Sequence, residues 1–199
     1  HCDNKDCESI YWGENRVSGF VRLIYKLLMI IKGQKRNIYL GDNEKTEYFW
    51  GDICREKIKY VRNFVYPGIN TLKTCPYMPY HDPDRPYVNN WFASTEAPEV
   101  NTFNDCLSEE NQNKLEKEGG ACIIYTHFGK NFVHDGKLNT KFMNLIKILS
   151  KKDGWFVPAN QILDYLMQNK RKLDMNISHY ERRRLEIKWL INKLKIGTS

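Results

Sequence analysis

The sequence predicts an α/β domain with a partly parallel sheet and a basic helix at its C-terminal end. Three observations predict it. Short apolar stretches of strand type alternate with longer stretches whose apolar residues recur at helical spacing. The 199 residues are 41% apolar and 13% aromatic, enough for one domain with its own core and too much for a disordered chain. The formal charge of +7 is concentrated at one end: from Lys170 onward nine Lys or Arg face three acids, and the rest of the chain is near neutral.

The elements follow in order. Val17 to Ile31 reads as a helix, with Phe20, Leu23, Ile24, Leu27, Leu28 and Ile31 on one stripe and Gly33 beyond its end. A span of a membrane needs about 20 apolar residues in succession. The most apolar run, Phe20 to Ile31, is interrupted by Arg22 and Lys26 and is read as no span. Ile38 to Leu40 reads as a short strand, Glu47 to Lys57 as a helix and Ile58 to Val65 as a strand, which Pro67 and Gly68 break. Four prolines between Thr74 and Pro86 exclude a helix or central strand and predict a long, stiff loop of the kind that often carries function. Tyr87 to Ser94 reads as the next strand.

Ser108, followed by Glu109 and Glu110, has the chemistry of a helix start, and Gly119-Gly120 stops that helix. Ala121 to Thr126 is a strand of buried type. Asn139 caps a helix whose inward residues are Phe142, Leu145, Ile146 and Leu149. A short strand, Trp155 to Val157, a helix, Gln161 to Met167, and a last helix, Ser178 to Lys195, complete the chain. Two units are expected: residues 1–167 as the domain and 168–199 as a basic, amphipathic helical tail.

Six cysteines (Cys2, Cys7, Cys54, Cys75, Cys106 and Cys122) contain no C-x-x-C pair and fit free thiols better than a zinc ribbon or a disulfide scaffold. That usage favours a reducing compartment. The tail helix sets Leu185, Trp189, Leu190 and Leu194 opposite Arg182, Arg183, Lys188 and Lys195, a pattern for packing on the domain or for contact with an anionic membrane surface. A cytoplasmic or membrane-peripheral location is therefore expected over an extracellular one. Binding to nucleic acid would rest on this one helix rather than on a basic domain, and no nucleic-acid partner is expected.

His127 is the leading candidate for chemistry. It follows an apolar strand and precedes Gly129, so it emerges at a strand end, where α/β folds place their sites. Imidazoles suit proton transfer near neutral pH. His81, Asp82 and Asp84, in the proline-rich loop beside Arg85, fit either a metal-ligand cluster or a hydrogen-bonded turn. His134 and Asp135 before Gly136 read as a turn. Tyr77 and Tyr80 on the loop are candidates to bind a ligand, and Trp91 and Tyr125 suit either a ligand face or the core.

Three segments together resemble the NodB-like polysaccharide deacetylase family. They are YVNNWFASTEAPEV (Tyr87 to Val100), EGGACIIYTHFGK (Glu118 to Lys130), and Leu138 to Leu166 with its GWFVP turn and closing ILDYL helix. Their order and spacing agree, and the match covers roughly Ile58 to Leu166. The resemblance implies an irregular (β/α) barrel, of which this chain holds the C-terminal portion. It also implies hydrolysis of acetyl groups on a polysaccharide or oligosaccharide, assisted by a divalent metal such as zinc. By the same resemblance, His127 matches the late histidine that protonates the leaving amine. Glu96 stands near the aspartate that orients it, although Thr95-Glu96-Ala97 replaces the family's aspartate-tryptophan pair. The family's metal ligands, an aspartate and two histidines early in the domain, have no counterpart here: there is no TFDD-like segment and no H-x-x-x-H. We therefore expect this chain alone to be inactive. The alternative expectation is a non-catalytic carbohydrate-binding or assembly protein on the same scaffold.

Overall fold

The computed structural model describes residues 18–31, 44–45, 49, 51–171 and 175–196. Helices α1 (Gly19–Ile31) and α2 (Gly51–Lys57) lead into strand β1 (Val61–Tyr66) and the single turn α3 (Thr71–Thr74). Strand β2 (Trp91–Glu96) is followed by α4 (Val100–Cys106), α5 (Glu109–Glu118) and β3 (Ile124–Tyr125). A hairpin, β4 (Val133–His134) and β5 (Lys137–Leu138), precedes helices α6 (Thr140–Leu149), α7 (Ala159–Gln168) and α8 (His179–Ile196). The expected strand Ile38 to Leu40 lies outside the described residues.

Strands β1, β2 and β3 form one parallel sheet in that order. Parallel neighbours need long crossovers. Here the loop after α3 joins β1 to β2, and helices α4 and α5 join β2 to β3. The α/β class is thus as the sequence predicts. Between Arg62 and Val65 the register slips, so β1 spends three steps where β2 spends two. The slip buries Phe64 and Val65 together.

One core cluster joins sheet residues Val61, Phe64, Tyr66, Trp91 and Ala93 to Leu163 of α7 and to Leu185, Trp189 and Leu190 of α8. Trp189 stacks against Phe64 and Tyr25, and the Tyr66 hydroxyl donates to the Leu185 carbonyl at 2.9 Å. The basic helix is therefore packed into the domain, with Trp189 only 2% exposed. Arg182, expected on its outer face, turns inward instead. A second cluster gathers Ile69, Ala97, Val100, Phe103, Leu107 and Phe132. No helix among the described residues is long and apolar enough to cross a membrane.

Several boundaries differ from expectation for local reasons. The strand predicted from Tyr87 starts at Trp91, because residues 82–88 fold back through turns and Tyr80 pairs with Trp91. Trp155 to Val157 is irregular rather than a strand: the Trp155 ring meets Tyr165 edge-on, and no ladder bond to another described residue is formed there. Helix α4 has no counterpart in the sequence reading. Its start is a capping box between Glu99 and Thr102, which the preceding Pro98 obscures.

Candidate functional site at the strand ends

Sheet register builds the site. Glu96 pairs with Tyr125 across β2 and β3, so the two stand side by side at the C-terminal end of the sheet. Beyond the strand the chain is held by backbone bonds. The Ala97 amide donates to the Tyr125 carbonyl at 3.0 Å, and the His127 amide donates to the Pro98 carbonyl at 3.2 Å. The Lys130 amide then closes a turn on the His127 carbonyl at 2.9 Å. His127 is thereby fixed at the strand end that the sequence predicts for it.

Its ring meets Tyr125. The Tyr125 hydroxyl and His127 Nε2 are 2.7 Å apart, and the rings cross edge to face at 4.9 Å. A neutral imidazole accepts the phenol proton at Nε2 and keeps its own at Nδ1, whereas an imidazolium donates from Nε2 to the phenol oxygen. The pair can therefore hold or pass a proton without moving. The Arg62 guanidinium lies 3.7 Å from the centre of the Tyr125 ring and fixes its face. Arg62, Glu96, Tyr125 and His127 are all half-buried, reachable from solvent yet held by neighbours. Strand alternation puts Ser94 on the same face as Glu96. Ser94 is buried, and its hydroxyl has no hydrogen-bond partner among the described residues. Phe128, next to His127, is 64% exposed and backed by Phe103, Phe132 and Phe142, which gives the site an apolar face.

The other aromatic candidates are placed elsewhere. Tyr80 is 1% exposed, and its hydroxyl accepts from Asn63 Nδ2 at 3.0 Å. Trp91 is buried beneath the Arg85 guanidinium, 4.2 Å from its ring centre. Both are core residues, which corrects the binding role expected of Tyr80 and, for Trp91, gives the core place of the two that the sequence left open. Tyr77 is half-buried against the same core, and its carbonyl accepts from Lys170. Of the four aromatics expected to bind, only Tyr125 joins His127 and Glu96.

The loop cluster is an ion-pair network rather than a metal site. Asp82 is buried and accepts from Arg85 Nε at 2.8 Å and from Arg182 Nη1 at 3.1 and 3.3 Å. Arg182 also reaches Asp84 at 2.6 Å and Glu186 at 3.3 Å. Guanidinium donors thus occupy the oxygens a cation would need. His81 turns its Nδ1 to the Val88 and Asn89 carbonyls. His134 and Asp135 lie exposed in the hairpin turn, as expected. Among the described residues no group of three His, Cys, Asp or Glu side chains is placed to hold a metal ion. The metal implied by the resemblance finds no ligand set there.

Ser94 is the member that sequence reading misses, while Arg62 was noted only as the end of a candidate strand and Phe128 only as one of the aromatics near His127. Arg62 and Ser94 reach the site through sheet register, which no local pattern encodes. Phe128 has a local signal, its position beside His127 in THFGK. Compared with family models, curated proteins and solved structures, the chain has no match.

Proposed function

We propose that this chain carries the proton-donating side of a carbohydrate deacetylase, in a domain of the irregular (β/α) barrel type. The observation that supports it is the Tyr125–His127 pair at the C-terminal end of a parallel sheet, bonded at 2.7 Å with Glu96 in register beside it. Removing an acetyl group from a polysaccharide or oligosaccharide leaves an amine or alkoxide that must take up a proton. A strand-end imidazole bonded to a phenol can deliver one. The exposed Phe128 ring offers the flat apolar surface on which the C–H face of a sugar rests. The attack of water on the acetyl carbonyl, which the resembled family assists with a divalent metal, is assigned to none of the described residues.

Calorimetric titration with an N-acetylglucosamine oligomer tests this reading. Binding should weaken about tenfold or more in Phe128→Ala and in His127→Ala, a loss of about 1.4 kcal/mol. The chain alone should release no acetate with or without added zinc. Metal-dependent release from it would mean that the ligands lie within this chain. Binding that ignores His127→Ala would favour the non-catalytic carbohydrate-binding reading.

A further inference from the structure

We infer that the outer face of α8 docks on an anionic phospholipid bilayer and lies along its surface. The helix has two apolar sides. Leu185, Trp189 and Leu190 fill the core. Tyr180, Ile187, Ile191 and Leu194 point the other way and are 71%, 44%, 44% and 46% exposed. Leu194, which the sequence groups with the inner stripe, belongs to this outer one. Arg183, Arg184 and Lys195 are exposed among them. Each of these residues stands three or four positions from another of them, so all of them line one face of the helix. From Tyr180 to Leu194 that face is about 21 Å long.

The charge of that face has one sign. The acids of α8, Glu181 and Glu186, are held elsewhere. Glu181 accepts from the Ser178 amide at 2.9 Å and from its hydroxyl at 2.7 Å, at the start of the helix. Glu186 is buried, accepts from the Ser18 amide at 2.9 Å and lies 3.3 Å from Arg182 Nε. The Arg184 guanidinium stays within the face, 5.8 Å from the centre of the Tyr180 ring. Packing on the domain accounts for the inner stripe and leaves the outer one without a partner among the described residues.

A row of aliphatic residues edged by Arg and Lys is complementary to a bilayer with acidic headgroups. Ile187, Ile191 and Leu194 enter the boundary between headgroups and acyl chains, and Tyr180 keeps its hydroxyl at headgroup level. Arg183, Arg184 and Lys195 reach the phosphates on their flexible stems. Two other occupants fit the face less well. A second copy docked through the same face on a two-fold axis would bring these cations together with no acid between them. A nucleic acid would pair its phosphates with the cations and leave the aliphatic row without an apolar partner.

The test is co-sedimentation of the full chain with lipid vesicles. The chain should pellet with vesicles of phosphatidylcholine and phosphatidylglycerol in equal parts, stay in solution with phosphatidylcholine alone, and leave the mixed vesicles as salt is raised. Each basic group at such a surface is worth about fivefold in affinity, so Arg183→Gln combined with Arg184→Gln should weaken binding at least about tenfold. Ile187→Ser combined with Ile191→Ser should also weaken it at least about tenfold. These side chains are exposed, so both variants should keep the fold, which circular dichroism checks. If a double variant does not fold, Lys195→Gln takes its place, with a loss of about fivefold. Lys114→Gln combined with Lys117→Gln removes two exposed cations from α5 and should bind like the unmutated chain. No binding to the mixed vesicles, equal binding to phosphatidylcholine alone, or an equal loss from the α5 and α8 substitutions would overturn the inference. So would self-association that Ile187→Ser with Ile191→Ser abolishes, because a second copy would then occupy this face.

Discussion

At Asp82 a carboxylate lies between Arg85 and Arg182, and its side chain is 2% exposed. Burial is the largest single influence and pushes its pKa up, but Arg85 and Arg182 together outweigh it and hold the carboxyl below its usual range. A depressed carboxylate stabilises the fold above the unfolded value of about 3.9, and that contribution is lost as pH falls through the folded value. Thermal melts should therefore drop steeply below about pH 4, and Asp82→Asn should flatten that drop. Removing the carboxylate leaves two guanidiniums short of a buried partner, so Asp82→Ala should cost about 3–5 kcal/mol in chemical denaturation. Tyr80→Phe should cost about 1 kcal/mol by freeing Asn63 from its hydroxyl, and should leave oligosaccharide binding unchanged. A change in affinity there would restore Tyr80 to the ligand site.

Among the elements, helix starts follow local chemistry closely. Ser108 accepts from the Asn111 amide, and Asn139 accepts from the Phe142 amide at 2.9 Å. Both are as the sequence predicts, because a cap is decided within four residues. Ser108→Ala should lower stability by about 1 kcal/mol in urea unfolding. Gly120 stops the chain after α5 with φ +128°, and an added Cβ there would lie 2.5 Å from the Asn70 side chain. Gly120→Ala should destabilise by more than the loss of that cap, since backbone strain and overlap add. Strands were less legible. The run from Tyr87 has strand-type residues, but where pairing begins depends on Tyr80 folding back on Trp91, a contact between distant turns. Trp155 to Val157 has the residues of a strand and pairs with no strand among the described residues.

For the molecule as a whole, the alternation of elements was sufficient to predict a parallel sheet, and the distribution of charge marked the last helix. The apolar stripe of that helix predicted packing on the domain, and it is this packing that completes the core. Leu185, Trp189 and Leu190 are buried in it, and Trp189→Ala should cost about 3–5 kcal/mol, read as a lowered denaturation midpoint. The site was legible in part for the same reason. His127 and Tyr125 lie on one strand, two residues apart, and local pattern finds them. Glu96 was placed by resemblance, and Arg62 and Ser94 join only through register between strands. Tyr80 was misplaced and Trp91 left between two roles because an aromatic residue has the same sequence signal in a core as on a binding face.

The most direct test of the central claim is an NMR titration of the histidine ring signals with an N-acetylglucosamine oligomer. The account predicts that the His127 ring signals shift saturably while those of His81 and His134 stay in place, and that Tyr125→Phe alters the His127 response. Saturable binding that leaves the His127 signals unmoved would contradict it.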